Sequence, residues 1–204
     1  MRAIKLQAQL MTAFEGNSLY EMDRNYLGMS GAGECPREWY WRTIDPIRTL
    51  RQTWSAFTGY MHEAKLLEFL GTKKGSREIV AVFDNRYRGH IDYEIPDGTL
   101  VEIKSVSWER YLKLLAGGEG DRKHQDQCQT YMRHGPFPHA ILVYIARDIP
   151  WRAFDDSSLK LPFFMIDVWR HESRADELDD KAKMVLACID MGSPPNCICG
   201  RCRR

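Results

Sequence analysis

The sequence predicts a mixed α/β domain, with a central sheet flanked by helices. Three observations predict it. HAILVYIAR (139–147) and LPFFMIDVW (161–169) are apolar, β-branched runs of strand length. Other stretches repeat apolar residues at helical spacing. Glycines stand where several of those helical stretches must end.

Taken in order, residues 1–24 read as an N-terminal arm or helix. SGAGEC (30–35) is a Gly-rich turn leading into PREWYWRTI, a helix with Pro36 in its first turn. QTWSAFTGYMHEAKLLEFLG places Phe57, Met61, Ala64, Leu67 and Leu70 on one helical face, and Gly71 closes it. REIVAVFD (77–84) reads as a strand, followed by a hairpin in GHIDYEIPDGTLVEIKSVS (89–107). WERYLKLLAGG and DRKHQDQCQTYMRHG are helical and separated by glycines. After the two apolar strands, ESRADELDDKAKMVLACIDMG is a long helix ended by Gly192. The remainder, SPPNCICGRCRR, has no periodicity.

The 204 residues, 44% of them hydrophobic, suffice for a single domain with one core. Within it we expect an N-terminal arm carrying Cys35 (1–51), a core (52–190) and a cysteine-bearing tail (191–204). A net charge of +1 excludes a global basic field, so any nucleic-acid surface must be local. Arg37, Arg42, Arg48, Arg51, Arg201, Arg203 and Arg204 could supply one, or could be ordinary solvated residues. No stretch has the length of a membrane span, and the N-terminus lacks the apolar core of a signal peptide. We therefore expect a soluble, cytoplasmic protein without a membrane partner. In that reducing compartment six cysteines point to metal binding rather than three disulfides.

The hairpin carries the first candidate site. Pro96-Asp97-Gly98 fits a three-residue loop, with Gly98 in the left-handed position. Ile95 then faces Thr99, which sets Tyr93 against Val101, Asp92 against Glu102, Ile91 against Ile103 and His90 against Lys104. Opposed carboxylates are close enough to share one divalent cation, and without one they repel. The hairpin alone leaves two readings open, a metal site and an exposed polar face. Hard oxygen donors of this kind suit Mg²⁺ or Mn²⁺. Glu102-Ile103-Lys104 is an E-x-K unit, which puts the carboxylate and the ammonium on one strand face. That combination suits phosphodiester hydrolysis, where a divalent ion activates water and the lysine stabilises charge.

An Asp followed through a short hairpin by E-x-K resembles the PD-(D/E)XK nuclease superfamily. Two further stretches resemble its RecB-like branch: FTGYMHE, with His62 on a helix, and HQDQCQTY, a Q-x-x-x-Y motif whose Gln127 and Tyr131 share one helix face. The resemblance implies a restriction-endonuclease-like core. It implies His62, Asp92, Glu102 and the Ile103 backbone carbonyl as metal ligands. It gives Lys104 the role of assisting water, and Gln127 and Tyr131 that of organising the site and contacting DNA.

Cys35 with the C-x-C-x-x-C of Cys197, Cys199 and Cys202 resembles the iron–sulfur subset of that branch, which includes CRISPR-adaptation exonucleases and the AddB nuclease domain. There four thiolates hold a 4Fe–4S cluster joining the chain ends. The tail here is spaced more tightly than that subset's. By chemistry alone, four thiolates suit either an iron–sulfur cluster or structural zinc. Cys188 could substitute as a ligand, but it and Cys128 read as ordinary buried cysteines. Trp39, Tyr40 and Trp41 could pack beside the cluster or stack on unpaired bases. The resemblance thus implies a metal-dependent DNA exonuclease on single-stranded or frayed ends, in recombination, repair or CRISPR adaptation, whether bacterial or phage-encoded, with proteins of those pathways as partners. The alternative is a DNA-end-binding or adaptor protein that keeps the fold without cutting.

Overall fold

In the computed structural model the described residues are 26–46, 50–69, 77–150, 152, 163–200 and 202; within 50–69 the side chains described are those of 54–68. The expected N-terminal arm (1–24), Arg48, the side chain of Arg51, Leu70, Gly71, Arg201, Arg203 and Arg204 lie outside them. The strands are β1 (Leu27–Gly28), β2 (Glu78–Val80), β3 (Tyr87–His90), β4 (Tyr93–Glu94), β5 (Leu100–Val106), β6 (His139–Ala146) and β7 (Phe163–Trp169). The helices are α1 (Pro36–Ile44), α2 (Leu50–Phe69), α3 (Trp108–Gly117), α4 (Arg122–His134) and α5 (Glu172–Asp190).

Local chemistry accounts for the helix boundaries. Pro36 opens α1 directly after Cys35, where its missing N–H leaves nothing unpaired. Ser107 and Asp121 cap α3 and α4 by accepting the backbone N–H groups of Arg110 and Lys123. His171 caps α5 by accepting from Arg174 N–H. No helix among the described residues is long and apolar enough to cross a membrane.

The mixed α/β architecture with helices flanking sheet is as the sequence predicts. The main sheet has the order β4-β5-β6-β7, with β5 and β6 parallel and the outer pairs antiparallel. Parallel neighbours need a crossover connection, and the chain supplies it with α3 and α4. The two faces of β5 part company. Leu100 and Val106 enter the main core with Tyr111, Tyr131 and Tyr144. Val101 and Ile103 enter a second cluster with Leu67 of α2 and with Val143 and Ile145. Trp39 and Tyr40 are fully buried and Trp41 packs against the main core, so the three aromatics serve packing.

Two expectations about the strands need correction. REIVAVFD is not one strand: β2 ends at Val80, and the chain turns where the Asp84 side chain accepts the Arg86 N–H and the Asp84 carbonyl accepts the Tyr87 N–H. Nor do residues 89–95 form one continuous hairpin arm in a single central sheet. β3 pairs with β1 and β2 in a separate three-stranded sheet, while β4 pairs with β5. The cause is a bend at Ile91 and Asp92. Ile91 is buried in the main core and its N–H bonds to Arg77 O at 3.2 Å. The ladder pairs His90 with Lys104, Ile91 with Ile103 and Asp92 with Glu102 therefore do not form.

The turn itself matches the reading. Tyr93 faces Val101 and Glu94 faces Leu100, while Ile95 N–H bonds to Thr99 O and Gly98 N–H to Ile95 O. Gly98 has φ +85° with no atom near the position a Cβ would take. A Gly98→Ala substitution would thus act through backbone conformation alone, lowering stability by about 1 kcal/mol. Urea denaturation of the two proteins checks this, with Gly98→Asn expected to lose less.

Candidate active site

β5 presents Glu102 and Lys104 to the same side, two residues apart. Asp92 comes to them from the bend that ends β3, where its Oδ2 accepts the Ile103 N–H at 2.7 Å. The carboxylate thus stands in for the ladder partner that β4 no longer provides. A strand residue's N–H and C=O point to one edge, so the Ile103 carbonyl faces the same edge as Asp92.

α4 supplies the rest. Gln127 Nε2 donates to Glu102 Oε1 at 2.7 Å and to the Tyr131 hydroxyl at 3.1 Å, and that hydroxyl donates to His90 O at 2.8 Å. Residues four apart on a helix face one way, which is why one helix can hold both ends of this chain of bonds. α4 is fixed in turn by Arg174, bidentate to the buried Asp126, and by Gln129, which bonds Trp169 O and His171 N–H. Gly89 lies under the Tyr131 ring, so close that a Cβ there would stand 2.8 Å from Tyr131 Cε1.

Asp92, Glu102, Lys104, Gln127 and Tyr131 line one cleft of about 330 Å³. Burial raises Glu102 first, the neighbouring Asp92 charge adds to it, and the carboxyl is pushed up to about 8. Lys104 Nζ lies 2.5 Å from Glu102 Oε1. Burial alone would lower Lys104, but the Glu102 and Asp92 carboxylates outweigh it and hold it above the ordinary lysine range. Glu102 Oε2 is buried and has no hydrogen-bond partner among the described residues. A buried carboxylate oxygen without a donor is destabilising, and a divalent cation is the kind of partner that would satisfy it. The donor set therefore fits a hard cation.

His62 lies elsewhere. It is on α2, whose Leu67 covers the opposite face of β5, and its Nδ1 is 2.6 Å from Thr58 O and 3.5 Å from Ser105 Oγ. A carbonyl only accepts, so Nδ1 carries the proton in that bond. The ligand atoms of His62, Asp92 and Glu102 do not gather within 4.8 Å of one another.

The cysteines do gather. The sulfurs of Cys35, Cys197, Cys199 and Cys202 all lie within 4.8 Å of one another. Arg37 donates to Pro195 O and Lys181 to Glu34 O, which ties α1 to the tail and to α5. The Cys202 backbone N–H is the main influence lowering the Cys197 thiol, to about 6. Burial would raise Cys35, but the Ile198 N–H and the Cys202 thiol outweigh it. Cys128 is fully buried and Cys188 packs against the core, both outside the quartet.

The cleft also contains residues that the sequence does not single out. Arg88 and Tyr26 line it, with the Arg88 guanidinium 4.9 Å from the Tyr26 ring centroid. Their signal is faint, since a basic residue on a short strand is ordinary. Of the arginines named from sequence, Arg42 lines the cleft and pairs with Glu34 at 2.6 Å, whereas Arg37 holds the tail.

The network makes Tyr131→Phe informative, because it removes one hydroxyl that both accepts from Gln127 and donates to His90 O. We expect a loss of about 1–2 kcal/mol in denaturant unfolding with the fold retained.

No protein-family model matches the chain, and a search of curated proteins returns no match. Solved structures do match. The alkaline exonuclease LHK-Exo from Laribacter hongkongensis superposes with a TM-score of 0.64 at 14% identity, covering 86% of this chain and 93% of that one. The same enzyme in complex with dAMP gives 0.64 at 14% identity, over 83% and 90%. A phage related exonuclease from Haemophilus somnus 129PT gives 0.53 at 13% identity, over 85% and 97%. The chain has the fold that these exonucleases share.

Proposed function

We propose that this chain is a metal-dependent DNA exonuclease of the PD-(D/E)XK type. One observation carries the reading. In an exonuclease fold, Asp92, Glu102 and Lys104 line a single cleft in which Glu102 Oε2 is buried without a hydrogen-bond partner among the described residues. Asp92, Glu102 and the Ile103 carbonyl are the proposed Mg²⁺ or Mn²⁺ ligands, and His62, on the other face of β5, is not among them.

When bound, such an ion would supply activation of water and stabilisation of phosphoryl charge. Lys104, held in its charged form by the adjoining carboxylates, lies where negative charge develops during phosphodiester cleavage. Gln127 and Tyr131 orient Glu102 and close the floor of the cleft. Arg42 and Arg88, which line the cleft, are the proposed phosphate contacts, and a single strand or a frayed end is the proposed substrate. Recombination or repair of DNA ends is the proposed setting.

The test is digestion of end-labelled single-stranded DNA with Mn²⁺ and with EDTA. Asp92→Ala and Lys104→Ala are each expected to lower the Mn²⁺-dependent rate by at least about 100-fold while melting as folded proteins. Full activity in either variant overturns the assignment. So does a wild-type protein that retains DNA ends without cutting them.

A further inference from the structure

The cysteine quartet is built at a scale that discriminates between its candidate occupants. Four thiolates around a single tetrahedral ion, each at a bond length of about 2.3 Å, stand roughly 3.8 Å from one another. In a 4Fe–4S cluster each thiolate binds a different iron. Two sulfurs are then separated by an iron–iron edge with a further bond at each end, which puts them roughly 6 Å apart.

The sulfurs here match the first arrangement. Cys197 and Cys199 are 3.6 Å apart, Cys199 and Cys202 are 3.3 Å apart, and all four lie within 4.8 Å. The chain is shaped to keep them there. Gly200, at φ +68°, turns the backbone between Cys199 and Cys202. Cys35 meets them from the N-terminus of α1, held in register by Arg37 on Pro195 O.

We infer that Cys35, Cys197, Cys199 and Cys202 form a closed structural zinc site rather than the ligand set of a 4Fe–4S cluster. Four thiolates around one ion leave no open position, so the zinc holds the two chain segments together and takes no part in hydrolysis. The site is separate from the Asp92 and Glu102 cleft, and the inference stands or falls without the nuclease reading.

The experiment is metal and sulfide analysis of the full chain, purified anaerobically from cells supplied with both iron and zinc. The expected result is about one zinc per chain, no acid-labile sulfide, and a sulfur-only shell at about 2.3 Å in zinc X-ray absorption. Roughly four irons and four sulfides per chain, with absorption at about 400 nm, would overturn the inference. A metal-free protein whose melting temperature ignores a strong chelator would overturn it equally. Cys199→Ser is expected to lose the zinc and to melt lower than the parent. Should that variant not fold, the zinc content and chelator sensitivity of the parent chain decide the matter.

Discussion

Where the chain leaves the small sheet for the large one, a side chain replaces a strand. The Asp92 carboxylate takes the Ile103 N–H that a longer β4 would have taken, and the cleft depends on that substitution. It joins the two sheets at a single residue. It brings a carboxylate beside the E-x-K unit, and it holds the edge that carries the Ile103 carbonyl. With the backbone ladder continued instead, Asp92 would be one more residue in a strand pair.

Around that bond the buried polar groups form one network. Glu102 Oε1 is engaged by both Lys104 and Gln127, and Gln127 also engages Tyr131. The like charges of Asp92 and Glu102 are offset by Lys104, which lies against Glu102. Buried polar networks are stabilising when fully satisfied and destabilising when one atom is left over. Glu102 Oε2 is that atom, and it is the one that the proposed ion would satisfy.

Much of this was legible in the residues. Pro96-Asp97-Gly98 determined the turn, and with it the facing of Tyr93 and Val101, because a loop of that length admits one register. Gln127 and Tyr131 were legible as a pair because helical spacing places them on one face. The bend at Asp92 was not legible. Alternating residues through 89–95 look the same whether the chain runs straight or changes sheets, and only the burial of Ile91 in the main core decides it. The placement of His62 was hidden for a similar reason, since a helix pattern names an inner face without saying which side of the sheet it covers. Asp126 and Gln129 show the opposite case: polar letters inside a motif turn out to anchor α4 to β7 and α5.

The bonds that make the cleft and the bonds that join the chain ends differ in reach. Ile103 and Asp92 are 11 residues apart, Gln127 and Glu102 are 25 apart, and Tyr131 and His90 are 41 apart. Arg37 and Pro195, beside the quartet, are 158 apart. Loop-closure entropy grows with the logarithm of that separation, so short loops close at least cost and the longest at most. The cleft thus closes over short loops, at a lower entropic cost than the contact that brings the chain ends together. A metal clip at the quartet would restrain the unfolded chain more than a crosslink across any of the shorter cleft loops could.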